Sequence, residues 1–116
     1  MVDIMETDQI KFISMGHLKR MMDGGERFQL LDVRSSEDYE QEHIKGARSL
    51  PLDRLDSAKQ LFKPSDALIV YCDSFVCSAS SSATKILTRM GFTNVRDYKG
   101  GLREWKTSGL PTEMGQ

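Results

Sequence analysis

The run Ala67-Leu68-Ile69-Val70-Tyr71, followed directly by Cys72, constrains this chain more than any other feature. Pro64-Ser65-Asp66 precedes it, and the run is too short for a helix, so it reads as a strand buried on both faces. After Cys72 comes a segment of mostly small residues, Asp73 to Ala79, and then a helix from about Ser80 to Met90. That helix carries Ala83, Ile86, Leu87 and Met90 as its apolar stripe, with Gly91 as its stop. A buried strand, a tight loop and a helix in that order imply an α/β sheet with the thiol at a strand's carboxyl end. Such sheets hold their reactive sites there.

The flanking sequence fits the same plan. Lys11-Phe12-Ile13-Ser14 suggests a short strand, after which Ser14 caps a helix bearing Leu18, Met21 and Met22 and ending at Asp23-Gly24-Gly25. Phe28 to Val33 reads as a second buried strand, and Ser35 or Ser36 opens an acidic helix, Glu37 to Glu42. A small strand over Gly46 to Leu50, a helix carrying Leu52, Leu55, Ala58 and Leu61-Phe62, a strand over Asn94 to Tyr98 and a last helix with Leu102 and Trp105 complete the alternation. No internal repeat interrupts it. The expected division is a loose lead-in over residues 1–10 and one domain over residues 11–116.

Charge excludes several functions. Sixteen Lys and Arg against seventeen Asp and Glu leave a net charge of −1, which offers no field for nucleic acid or an anionic membrane. The apolar runs are far shorter than the roughly 20 residues needed to span a bilayer. The first eight residues lack the basic and apolar regions of a signal peptide. The expectation is a cytoplasmic protein whose two cysteines, Cys72 and Cys77, are reactive or buried thiols rather than a structural bridge.

Position alone leaves two readings of Cys72 open. It is either an inert core residue at a strand end or a nucleophile. As a nucleophile it needs its thiolate stabilised. A loop that wraps the sulfur with the amides of Asp73, Ser74, Phe75, Val76, Cys77, Ser78 and Ala79, at the positive end of the next helix, can do this. Asp73 opposes a thiolate unless it faces solvent.

The order of motifs narrows the choice. Leu31-Asp32-Val33-Arg34, Glu37-Asp38-Tyr39, His43-Ile44-Lys45-Gly46-Ala47 and Pro51-Leu52 resemble the first half of a rhodanese-like domain. Val70-Tyr71-Cys72, Gly91-Phe92, Val95, Gly100-Gly101, Trp105 and Gly109-Leu110-Pro111 resemble the second. The resemblance implies a mainly parallel five-stranded sheet flanked by helices on both faces. It also implies a sulfurtransferase or sulfur carrier with Cys72 as the catalytic cysteine. Sulfane sulfur would be held there as a persulfide and passed on in two covalent steps. No metal or organic cofactor is implied. The partners are a small persulfide or polysulfide donor and a thiol or other nucleophilic acceptor, a protein among those the chemistry admits.

Two departures from the family pattern bear on the chemistry. The interval from Cys72 to Gly91 is longer than in the commonest single-domain members, and between Cys72 and Thr84 it holds no Arg or Lys. Thiosulfate is therefore a doubtful donor. A phosphatase or arsenate reductase reading also fails, because it needs an arginine where Ser78-Ala79-Ser80 stands. Cys77, in the same loop, is a candidate resolving thiol if the loop brings the two Cα atoms within ~7 Å. The alternatives to sulfur transfer are a redox module toggling between dithiol and disulfide, and an adaptor with an unreactive thiol.

Other residues read as support. Asp32 and Arg34 stand at a strand end, and the resemblance implies a structural role there, with Arg34 pairing with the acidic helix at Glu37 or the neighbours of Tyr39. The resemblance implies that His43 organises a turn and packs locally, though Glu42 and Lys45 stand where the family has glycine and proline. Gly100 and Gly101 suggest close backbone approach beside the loop. His17 reads as solvated and Trp105 as a core anchor. Ser80 to Ser82 lack a His and Asp arrangement.

Overall fold

The computed structural model describes residues 10–115, so all of the expected lead-in except Ile10 lies outside it. The elements run α1 (Met15–Asp23), β1 (Gln29–Asp32), α2 (Ser36–Gln41), β2 (His43–Ile44), β3 (Arg48–Ser49), a 3-10 helix (Leu52–Ser57) leading into α3 (Ala58–Leu61), β4 (Leu68–Tyr71), α4 (Ala79–Arg89), β5 (Val95–Tyr98), α5 (Gly101–Thr107) and β6 (Thr112–Glu113). Caps set several boundaries. Ser14 accepts from the His17 amide at α1, and Ser35 accepts from the Asp38 amide at α2.

The main sheet has the order β3-β1-β4-β5, and every pair is parallel. Four strands therefore stand where five were expected. At the fifth position, beside β5, the predicted strand over Lys11 to Ser14 shrinks to a single bridge between Phe12 and Asp97. Two backbone hydrogen bonds hold it, Asp97 N–H to the Lys11 carbonyl and Ile13 N–H to the Asp97 carbonyl. Ser14 turns the chain into α1 before a ladder can form. The predicted helix after Pro51 is likewise split, with Arg54 leaving helical geometry inside the 3-10 segment. The sequence reading missed a two-stranded antiparallel ribbon of β2 and β6, which ties His43 to Glu113 and Ile44 to Thr112.

Side-chain alternation divides the core into two layers. Leu31, Val33, Leu68, Val70, Cys72 and Val95 face the 3-10 helix, α3 and α4, where Leu55, Ala58, Phe62, Ala83 and Leu87 cover them. Leu30, Ile69, Tyr71 and Tyr98 face the other way onto Leu18, Met21, Tyr39, Leu102 and Trp105. Trp105 is fully buried and donates its indole N–H to the Pro111 carbonyl at 2.8 Å. Cys72 thus continues the inward row of β4 on the α4 side, at the carboxyl edge of the sheet.

Candidate active site

Cys72 is 4% exposed and follows the last residue of β4. The chain beyond it reverses in a turn closed by the Cys77 N–H on the Ser74 carbonyl, 3.1 Å. Phe75 and Val76 form the exposed tip. The turn returns Cys77 to Cys72 with a Cα–Cα separation of 6.4 Å, and the two cysteines form a disulfide. The expectation of two separate thiols is thereby corrected: the loop is short and sharply folded, so its ends meet. In this form the Cys77 amide serves the turn, and Cys72 holds no free thiol.

Three contacts from outside the loop fix its path. The first amides of α5 point at it, Leu102 N–H donating to the Cys72 carbonyl at 3.0 Å and Arg103 N–H to the Asp73 carbonyl at 2.8 Å. Gly101 makes that approach feasible. Its φ is +66°, and a Cβ there would lie 2.6 Å from the Cys72 carbonyl oxygen. Lys99, between β5 and α5, donates its ammonium to the Cys77 carbonyl at 2.7 Å.

The third contact comes from Arg34. Its guanidinium donates to both oxygens of Asp32 at 2.8–3.2 Å and to Asp73 at 3.1 Å. It also donates to the backbone carbonyls of Glu42 at 2.6 Å and Asp38 at 3.4 Å. Arg34 therefore reaches the acidic helix at Asp38, a neighbour of Tyr39, and at Glu42 just beyond it, through backbone carbonyls rather than through the Glu37 carboxylate. Burial works to lower its pKa, but the hydrogen bonds and charge of Asp32 more than reverse this, and the guanidinium is held more firmly protonated than usual. The register that sets Asp32 beside Tyr71 lets the tyrosine hydroxyl donate to Asp32 at 2.7 Å while accepting from the Ile44 N–H at 3.0 Å. Burial, and then the Asp32 charge, raise the Tyr71 pKa well above the usual tyrosine range.

Asp73 is 60% exposed yet aimed at Arg34, which gives its carboxylate a cationic partner. His43 is buried, stacked on Tyr39 at 3.7 Å between ring centres, with Nδ1 2.7 Å from the Tyr39 carbonyl. His17 is exposed.

Cations do reach the loop, although its own sequence carries none. A hollow of about 590 Å³ is lined by Asp73, Ser74, Val76 and Cys77 on one side and by Leu102, Arg103, Lys106 and Thr107 of α5 on the other. Lys106 also pairs with Glu42 at 2.6 Å. Sequence reasoning missed Lys99, Arg103 and Lys106 because they lie after β5, and only the parallel sheet brings that segment beside the loop after β4. The glycine pair was the one sequence sign of this approach. Among the described residues no cluster of His, Cys, Asp and Glu could hold a metal, and no helix is long and apolar enough to cross a membrane.

A parallel sheet with a thiol loop between its central strand and a helix defines a class of α/β domain built around one strand-end cysteine. The family follows from comparison: residues 14–108 match the model of the rhodanese-like domain, and the chain belongs to that family. It is 37% identical over 95 residues to the thiosulfate sulfurtransferase 16, chloroplastic, of Arabidopsis thaliana, covering 72% of this chain and 78% of that protein. It is 34% identical over 82 residues to the uncharacterized protein YqhL of Bacillus subtilis, covering 71% of this chain. The chain spans 64% of the length of YqhL and 49% of that of YrkF, a putative sulfur carrier protein of the same organism. A crystal structure of the Alr3790 protein from Anabaena sp. superposes with a TM-score of 0.81 at 36% identity, covering 88% of this chain and 91% of that one.

Proposed function

We propose that this domain is a rhodanese-type sulfurtransferase or sulfur carrier that moves sulfane sulfur through a persulfide on Cys72. The observation that carries this reading is the seat of Cys72. It stands at the carboxyl end of β4, at the base of a loop leading into the N-terminus of α4, in a chain whose relatives include a named sulfurtransferase and a putative sulfur carrier. Once the disulfide is reduced, the Cys72 thiolate attacks the outer sulfur of a donor R–S–SH. A bond forms from Cys72 Sγ to that sulfur, the donor S–S bond breaks, and R–S⁻ leaves as the thiolate while the proton stays on the transferred sulfur, giving Cys72–S–SH. An acceptor nucleophile then takes the outer sulfur and restores the thiolate.

The hollow beside Cys77 suits an anionic donor. Arg103 supplies charge that the loop sequence lacks, with Lys106, itself paired with Glu42, beside it, so thiosulfate belongs among the donors to be tested. The test is the intact mass of reduced protein after incubation with cysteine persulfide or polysulfide, followed by cyanide. The expected result is one added sulfur that requires Cys72 and is discharged as thiocyanate. If Cys72→Ser takes up and delivers sulfur as well as the native chain, the assignment is wrong. The disulfide favours a second reading, a redox-regulated interaction module. That reading predicts loss of two hydrogens with no sulfur adduct in the native chain, and neither change in Cys77→Ser.

A further inference from the structure

We infer that Cys77 discharges the Cys72 persulfide, which makes the domain a sulfide-releasing persulfide reductase driven by an external dithiol. This rests on the reading of Cys72 as the sulfur acceptor and adds an outcome to it. The Cys77 thiolate attacks Cys72 Sγ, the inner sulfur of Cys72–S–SH. A Cys72–Cys77 bond forms, the bond to the outer sulfur breaks, and the outer sulfur leaves as hydrosulfide with the persulfide proton. The sulfane sulfur is reduced to sulfide and the two thiols are oxidised to the disulfide. A small dithiol or a dithiol protein then supplies two electrons and two protons to regenerate both thiols.

The geometry carries this in three ways. The disulfide that such an attack produces is the one the structure contains. The two cysteines are also positioned by contacts that do not involve sulfur. Leu102 N–H holds the Cys72 carbonyl, the Lys99 ammonium holds the Cys77 carbonyl, and the Ser74–Cys77 turn links them. Their approach therefore survives reduction, and the attack is intramolecular. Finally, the sulfurs differ in access. Cys72 is buried, whereas Cys77 is only partly buried and lines the hollow with Arg103. A reductant thiolate entering there meets Cys77 and expels Cys72 as the leaving thiolate, at the base of the loop that leads into α4.

The experiment uses the full chain, reduced, desalted and given one equivalent of cysteine persulfide, with Cys77→Ser and Cys77→Ala in parallel. Released sulfide and intact mass are followed together over time. The native chain should release sulfide as it loses two hydrogens, at a first-order rate independent of protein concentration. Both Cys77 variants should keep one added sulfur, with release at least ~10-fold slower. Equal retention by native chain and variants would overturn the inference while leaving Cys72 as a sulfur carrier. Sulfur found on Cys77 in Cys72→Ser and released as fast as from the native chain would overturn the assigned direction. No adduct on either Cys77 variant would remove the underlying reading as well, because Cys72 would then not accept sulfur at all.

Discussion

Replacing Gly101 by alanine probes the joint between the loop and the rest of the fold. The native φ of +66° lies in the left-handed region, where an L side chain costs about 1–2 kcal/mol. The added Cβ would also sit 2.6 Å from the Cys72 carbonyl oxygen and within 2.9 Å of Asp73 and Ser74 backbone atoms. Those neighbours are backbone, so relief means separating the loop from α5. The hydrogen bonds from the Leu102 and Arg103 amides then weaken, each contributing about 1 kcal/mol. The total loss should be about 3 kcal/mol. Gly109→Ala is the control, with φ +77° and no atom within 4 Å of its Cβ, so it carries the conformational cost of about 1–2 kcal/mol alone. Urea denaturation of both variants, oxidised and reduced, measures the difference, and sulfur uptake by the reduced proteins should fall only in Gly101→Ala. Two variants equal within about 0.5 kcal/mol would refute the claim that close approach, rather than backbone conformation, demands glycine at this position.

Asp32→Asn should cost about 3 kcal/mol in denaturant unfolding, because it removes the charge partner of a buried Arg34, whereas Asp73→Asn, at an exposed partner, should cost under about 1 kcal/mol. Hydrogen bonds from Lys106 and Thr112 hold the Glu42 carboxyl below its ordinary 4.5, so its contribution to stability is full above that value and is lost as pH falls through the lower folded one. Acid titrations of unfolding in the native chain and Lys106→Met should therefore diverge above pH 4.5 and converge below the folded value. Lys99→Met removes a charged hydrogen bond of about 1.5 kcal/mol from the Cys77 carbonyl and should slow closure of the disulfide from the reduced protein by roughly 10-fold, read by timed alkylation of free thiols. A rate unchanged by Lys99→Met would mean that the turn alone positions Cys77.

The fold was legible where patterns are local. The apolar runs marked β1 and β4, Ser14 and Ser35 marked the starts of α1 and α2, and the Leu18, Met21 spacing marked the buried face of α1. What escaped was set by distant partners. Thr112-Glu113 becomes a strand only because His43-Ile44 lies beside it, and nothing in either pair signals the match. Lys11 to Ser14 has strand character, but capping α1 at Ser14 limits it to one bridge. At the site, the place of Cys72 at a strand end could be read because strand and cysteine are adjacent in sequence. That the two cysteines join cannot be read from their spacing alone, because loop closure depends on the turn from Ser74. The charge at the site could not be read at all. A count along the loop finds no cation, whereas the fold supplies Lys99, Arg103 and Lys106 from beyond β5.

That difference bears on what sets the chemistry of the loop. Asp73 is the residue next to the candidate nucleophile and carries the charge least favourable to a thiolate. Its carboxylate is paired with Arg34, and Arg34 is oriented by Asp32 and by the carbonyls of Asp38 and Glu42. Asp32 is oriented in turn by the Tyr71 hydroxyl, which comes from the strand that ends at Cys72. The chain of contacts therefore closes on itself, from β4 through β1 and α2 back to the first residue after the sulfur. Together with the α5 amides and Lys99, it fixes the loop at Cys72, Asp73 and Cys77. The Phe75-Val76 tip projects into solvent, with large apolar side chains exposed. A loop held at its base and at its second cysteine can exchange one S–S bond for another without rebuilding its backbone. That economy of movement is what the proposed alternation between persulfide and disulfide requires.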